Sequence, residues 1–496
     1  MGPWAQIKET HSAVVIFLGD RVVKLRKPVR LGSLDFTSRE ARRAICHEEV
    51  KLNRRLAPDV YEGVADVIGP DGQLCDHLVV MRRMAEERRL ATMIRSGEPV
   101  EAHLRQIARM VASLHGRARR GPQIDRQGEA QALRDRWTAN IDQVRALPDP
   151  VLDAEMIQEI ERLVLRFLDG RERLSAARLS QGRIVDGHGD LLAEDIFCLD
   201  DGPRILDCLE FDERLRFLDG LDDAAFLAMD LERLGAPRLA ELFLHWYTEF
   251  SGDHAPPALW HHFVAYRALV RAKVAGVRHQ QGDSGAPREA RELAELALRH
   301  LRAGAVTLVL VGGAPATGKT TIATAIADRL GFTMLDSNHI RRELAGITSE
   351  PGAPAAFGRD LCGQEWTERT YHELLFRTET LLCHGESVIL DASWSDAEQR
   401  KAAKRLAQRT SSDLVILHCT ALPQLIAERL AHREGGMADA DQAIAATTAQ
   451  AAPWPDAIEI DTSAPLGQAL ERALAAIHAR WPTMPLRFRR PQMEPG

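Results

Sequence analysis

To about residue 90 the apolar positions come in short runs broken by turn residues, the pattern of strands around a single helix. Ala13–Leu18 and the run Val22-Val23-Lys24-Leu25 flank Gly19-Asp20, which predicts a hairpin. Residues 38–56 switch to helical spacing and stop before Pro58. A further strand over Leu78-Val79-Val80-Met81 follows the turn residues Gly69-Pro70-Asp71-Gly72. From about 100 to 180 the pattern is mainly helical; over 184–212 short strands surround acidic clusters; helices resume over 219–278. Gln280-Gln281-Gly282-Asp283-Ser284-Gly285-Ala286-Pro287 reads as a linker, and residues 288–302 as an amphipathic helix.

Beyond that helix the period changes. Strands are predicted at 306–311, 333–335, 387–390, 414–418 and 458–460, with helical stretches between them. That alternation builds a parallel sheet with helices on both faces. The expected division is a first domain over 1–286, a helical linker over 287–304, a second domain over 305–481 and a fraying tail over 482–496. No internal repeat is evident.

Chemistry enters at Gly313-Ala314-Pro315-Ala316-Thr317-Gly318-Lys319-Thr320, followed by Thr321. The motif sits between an apolar strand and the helix-forming run Ile322-Ala323-Thr324-Ala325-Ile326-Ala327, the setting a phosphate-binding loop needs. Glycines let backbone N–H groups curl around phosphates, and the helix N-terminus adds positive potential. Lys319 would reach the β/γ-phosphates and Thr320 would bind Mg²⁺. Val388-Ile389-Leu390-Asp391 is a strand ending in an acid, so Asp391 is the second Mg²⁺ candidate. Arg429 and Arg433 lie one helical turn apart and either clamp the transferring phosphate or form a solvated basic face.

Composition narrows the class. With 496 residues, 45% hydrophobic and 27% charged, the chain has the make-up of a multidomain globular protein. No apolar run approaches bilayer length, and the N-terminus, with Lys8 and Glu9, lacks a signal-peptide layout. Seven scattered cysteines without a C-x-x-C pair argue for free thiols, and a cytoplasmic location is expected. The net charge of −7 gives no pull toward nucleic acid. His261-His262 lack ligand spacing and read as ordinary packed polar residues.

The second domain, over about 306–461, resembles the P-loop kinases grouped with zeta toxins, gluconate kinases and polynucleotide kinase. The resemblance also takes in Tyr371, Gly385 and Asp391-Ala392-Ser393. In those relatives the segment after the second strand binds the acceptor, and an Asp three residues before an Arg takes the acceptor's proton. Here those positions are Asn338 and Arg341. An amide is no base, so Asp336 is the candidate to replace it, as acceptor or Mg²⁺ ligand.

His188-Gly189-Asp190-Leu191-Leu192-Ala193-Glu194-Asp195, then Ile205-Leu206-Asp207, resembles the catalytic and metal loops of aminoglycoside phosphotransferases, a branch of the protein-kinase-like fold. The resemblance implies Asp190 as base and Asp195 and Asp207 as metal ligands. Asp195 stands where the family has Asn, and Leu192 where a His is frequent. It further implies Lys24 as the strand lysine facing the α/β-phosphates, paired with Glu49 or else Glu48. Asp219-Gly220-Leu221-Asp222-Asp223-Ala224-Ala225-Phe226 resembles the family's downstream aspartates. The whole chain resembles bacterial proteins fusing such a domain to a P-loop kinase domain, in which 52–61 and 266–274 look like the group's own motifs. The fold expected is therefore α/β and α+β, kinase-like then P-loop. The activity expected is ATP- and Mg²⁺-dependent phosphoryl transfer to a small-molecule hydroxyl. A nucleotide-gated regulatory protein and a nucleic-acid 5′-hydroxyl kinase are the alternatives.

Overall fold

A computed structural model describes residues 5–9, 12–31, 34–147, 151–347, 363–432 and 454–479. Arg433 and the tail expected to fray from Pro482 lie outside these residues. The chain forms two compact units, each discontinuous in sequence. The first comprises Met1–Leu152, Ser175–Ala255 and Phe263–Ala297; the second comprises Asp153–Leu174, Pro256–His262 and Leu298–Gly496.

In the first unit the hairpin around Gly19-Asp20 forms, with Leu18 opposite Arg21 and Gly19 at φ 58°. That left-handed turn matches the twist of the flanking strands and suits a residue without Cβ. The antiparallel sheet runs Ala5–Glu9, Ala13–Leu18, Arg21–Arg26, Leu74–Arg82, Tyr61–Ile68. Two of its strands, Ala5–Glu9 and Tyr61–Ile68, have no counterpart in the sequence-based expectation. The latter carries Glu62, Gly63 and Asp66 and shifts register between Tyr61 and Gly63, which blurs a period-two signal. Helix Arg39–Asn53 starts at Ser38, whose Oγ accepts from Ala41 N at 3.1 Å. It buries Cys46 and Val50 against Val22, Val79 and Met81 of the sheet.

The rest of this unit is helical, apart from two small hairpins. Ile196–Leu199 pairs with Gly202–Ile205, and Ile184–Asp186 with Phe217–Asp219. Helix Gly220–Arg233 is buried on every side from Gly220 to Leu231, although it carries Asp222, Asp223 and Asp230. Carboxylates so placed require partners.

The second unit is the parallel sheet that the alternating pattern predicts, ordered Thr333–Asp336, Val388–Asp391, Thr307–Gly312, Asp413–Thr420, Ile458–Asp461. Its central strand is buried throughout: Leu308 and Leu310 enter one apolar cluster, Val309 and Val311 the other. Each such side chain contributes about 1.5–3 kcal/mol. The strand ends carrying Gly312, Asp336 and Asp391 lie together, which sets the phosphate loop beside two acids. No described helix is long and apolar enough to cross a membrane.

Candidate functional site

In the first unit, Val22, Lys24 and Arg26 share one sheet face by the period of two, the face covered by helix Arg39–Asn53. Lys24 Nζ therefore meets Glu49 Oε1 at 2.8 Å, and it also donates to Asp207 Oδ1 at 3.1 Å. Glu48 faces outward to Lys51 at 2.9 Å. Arg26, absent from the sequence-based candidates, donates to Glu49 Oε2 at 2.7 Å and also to Glu210. Burial works against the Lys24 charge, but Asp207, Glu49 and Glu210 outweigh it and hold the ammonium well above the ordinary lysine range. Lys24 in turn holds the Asp207 carboxyl below its ordinary value.

Asp207 has φ 60°, a left-handed backbone that costs a non-glycine residue roughly 1–2 kcal/mol. Neighbouring bonds maintain it: Cys208 N donates to Asn53 Oδ1 at 2.8 Å, and Leu206 N to Asp195 O at 2.9 Å. Burial raises Asp190 to about 6; Arg271 opposes that rise and Asp207 adds to it. Asp195 is raised well above the carboxylate range by burial, then by Asp207 and Asp190. The three acids thus sit within one another's fields.

The loop bearing Asp190 is held from below. Asp223 accepts from His188 N at 2.6 Å, Gly189 N at 2.9 Å and His115 Nε2 at 3.0 Å. Tyr247 OH lies 3.0 Å from His115 Nδ1, and Asp230 accepts from Ala193 N at 2.9 Å. A Cβ on Gly187 would stand 2.4 Å from Asp223 Oδ2, so the loop has no room for a larger residue there. Bonding to its charged form drives Asp223 well below the ordinary carboxylate value, against the effect of burial. The sequence signal for these supports is acids inside a run that is otherwise apolar all round.

In the second unit, Gly313 and Gly318 adopt φ 139° and 80°, and Gly318 precedes helix Lys319–Leu330. Thr317 Oγ1 and Lys319 Nζ donate to Ala314 O at 2.8 and 2.9 Å, so the loop is closed on itself. Thr320 Oγ1 donates to Asp391 Oδ2 at 2.5 Å. Burial raises Asp391, with Thr320 and Lys319 opposing and Asp336 adding. Arg429 donates to Ala316 O at 3.2 Å and to Thr462 O at 2.9 Å, while Thr462 Oγ1 donates to Thr317 O at 2.7 Å. Thr462 was not anticipated from the sequence. A cavity of about 410 Å³ opens beside the loop, lined among others by Thr321, Arg429, Thr462, Leu466 and Ala469.

Asp336 Oδ1 accepts from Asn338 N at 2.7 Å as the cap of helix Ser337–Leu344, and the Asn338 side chain is exposed. On the same helix, Arg341 Nε is buried without a hydrogen-bond partner among the described residues. Tyr371 OH meets Ser393 Oγ at 3.2 Å and accepts from Trp394 N at 3.1 Å, joining two segments named in the resemblance. Among the described residues, no group of three or more His, Cys, Asp or Glu is arranged to hold a metal by itself.

A kinase-like unit with a paired strand lysine and a P-loop unit with a paired Thr–Asp define a two-domain chain of the phosphotransferase class. Residues 308–454 match the family model described as an AAA domain. The chain is 43% identical over 472 residues to "Uncharacterized protein Rv2004c" of Mycobacterium tuberculosis, covering 95% of each. It belongs to the same family as that protein. Two solved structures are also similar. A choline/ethanolamine kinase family protein from Mesorhizobium loti has 13% identity over 61% of this chain and 93% of its own, with TM-score 0.35. A sugar kinase from Janibacter sp. HTCC2649 has 25% identity over 35% and 94%, with TM-score 0.27.

Proposed function

We propose that the chain is an ATP- and Mg²⁺-dependent phosphotransferase that places the γ-phosphate on a hydroxyl of a small molecule in the cytoplasm. The observation that carries this reading is the convergence of Lys24 on both Glu49 and Asp207, in the unit whose Asp190 stands on a loop pinned by Asp223. Lys24, oriented by Glu49, contacts the α/β-phosphates. Asp190 accepts the proton of the attacking hydroxyl, and a pKa of about 6 suits a base working near neutrality. Asp195 and Asp207 offer hard oxygen donors, as do Thr320 and Asp391 in the second unit, and such donors fit Mg²⁺. When bound, Mg²⁺ neutralises the phosphates and orients the transferring group.

In the second unit residues 313–321 cradle a nucleotide's phosphates, with Lys319 at the β/γ-phosphates and Arg429 beside the loop. The cavity of about 410 Å³ is the seat for the rest of the nucleotide. Arg341 and Asn338 face the acceptor, with Asp336 as the nearby carboxylate. The net charge of −7 argues against a nucleic-acid acceptor.

The test follows label from γ-labelled ATP with Mg²⁺ into a bacterial metabolite extract, using wild type, Lys319→Ala and Asp190→Asn. A species lost in one variant identifies the working unit. A second reading is favoured by one observation: Asn338 is an exposed amide and Asp336 is engaged as a cap. On that reading the P-loop unit binds ATP as a regulator of the first. Unchanged product in Lys319→Ala, with altered ATP dependence, would support it.

A further inference from the structure

The ion-pair network around Lys24 has an open end and a closed end. At the open end the Asp207 side chain is 48% exposed and that of Lys24 15%. At the closed end Glu49 is fully buried and Arg26 is 3% exposed, so neither can touch a ligand. There Nη2 of Arg26 donates to Glu49 Oε2 at 2.7 Å and also to Glu210 Oε1. Glu49 thus serves two cations, Lys24 through Oε1 at 2.8 Å and Arg26 through Oε2. With both oxygens committed, the carboxylate plane is fixed, and with it the direction in which Lys24 is held. Glu210 comes three residues after Asp207, whose Oδ1 meets Lys24 at 3.1 Å. One guanidinium therefore joins the strand Arg21–Arg26, the helix Arg39–Asn53 and the segment carrying Asp207. Asn53, on that helix, fastens the same segment by accepting from Cys208 N at 2.8 Å.

Two cations, Lys24 and Arg26, here face three carboxylates, Glu49, Asp207 and Glu210. A nucleotide that draws Lys24 to its phosphates takes the ammonium from Asp207 and weakens its contact with Glu49. Asp207, at the open end, can turn to solvent or to a cation. Glu49 cannot, and a buried carboxylate stripped of its partner is costly. Resting on the reading of Lys24 as a phosphate contact, we propose that Arg26 is a positioning residue for the first unit's nucleotide. It keeps Glu49 and Glu210 matched from behind, so that Lys24 is free to exchange Asp207 for the phosphates. Arg26 itself touches no ligand and acts through Glu49. Its removal leaves Lys24 alone against Glu49, Asp207 and Glu210, which then compete with the nucleotide for the ammonium.

The test is calorimetric binding of a non-hydrolysable ATP analogue with Mg²⁺ to the full chain, in a Lys319→Ala background that weakens the second unit's site. Lys24→Ala is the control for the underlying reading. No binding to the background, or equal binding by Lys24→Ala, means that Lys24 is no phosphate contact, and that reading falls. With Lys24→Ala impaired, Arg26→Met is expected to bind about tenfold more weakly than the background. Arg26→Lys, which keeps the charge but not the planar fork, should recover part of the loss. Glu210→Gln alone should bind at least as tightly as the background. Arg26→Met combined with Glu210→Gln restores the balance of charge and should recover most of the affinity, whereas a role in packing alone would leave the double variant no better than Arg26→Met. Near-UV circular dichroism identifies a variant that does not fold; if Arg26→Met is one, Arg26→Lys and the double variant carry the test. Affinity within about threefold of the background in a folded Arg26→Met, or a folded double variant about tenfold weaker than the background, overturns the positioning role and leaves the reading of Lys24 in place.

Discussion

Replacing Asp223 with alanine strands three buried donors at once: the backbone N–H groups of His188 and Gly189 and the His115 ring. Each orphaned buried donor costs about 1–3 kcal/mol, and bonds to a charged acceptor lie at the upper end. Water entering the space left by the carboxylate offsets part of this, so the low end of the range, about 3 kcal/mol for the three, is the safer figure. That is roughly a 150-fold rise in local opening. Amide hydrogen exchange resolves it directly: the peptide spanning residues 184–195 should lose protection by two orders of magnitude, while strand Thr307–Gly312 should not change. Asp223→Asn is the sharper variant, because it keeps the volume but points an amide N–H at donors. If either variant leaves that peptide's exchange within about fivefold of wild type, the loop is not held by Asp223.

Glu49→Gln should cost about 3–5 kcal/mol by urea denaturation, since it halves the compensation of two buried cations, Lys24 and Arg26. A loss below about 1 kcal/mol would mean Glu210 and Asp207 suffice. Lys319→Ala should weaken ATP binding to the second unit at least about tenfold by calorimetry, with no change in the unfolding midpoint. The His261–His300 pair, Nδ1 to Nδ1 at 2.9 Å, should make the second unit acid-sensitive. Burial, and then His300, hold His261 well below its ordinary value of 6.5, so the unfolded state binds more protons. Stability is therefore full above pH 6.5 and falls as pH drops toward the depressed folded value. His300→Gln should flatten that slope in pH-dependent denaturation; an unaltered slope would exclude the pair as its source.

The phosphate loop was legible because everything it needs is local: two glycines, a lysine and a threonine at fixed spacing between an apolar strand and a helix start. The same holds for the strands Thr307–Gly312 and Val388–Asp391, whose apolar runs are buried on both faces. The supports of the first site were not local. Arg26 meets Glu210 184 residues on, and Asp223 reaches back 108 residues to His115. No spacing rule connects such pairs. The strand Tyr61–Ile68 was hidden by its bulge and polar edge positions. Asp223 sat in a segment already noticed, but only its burial among Ala224, Ala225 and Leu227 shows that its charge must be matched.

The helix Ala154–Gly170 has a consequence for how the protein is made. It belongs to the second unit, its Ile157, Ile160, Leu163, Val164 and Leu168 are buried, and Arg166 donates to Ser411 O, 245 residues further along. At a synthesis rate of about 5–20 residues per second, that partner leaves the ribosome roughly 12–50 s after the helix does. Until then the helix lacks that partner, while the chain that follows it enters a different unit. Nascent chains arrested before residue 411 should accordingly recruit hydrophobic-binding chaperones through residues 154–170, and polar substitution of Ile160 and Val164 should release them.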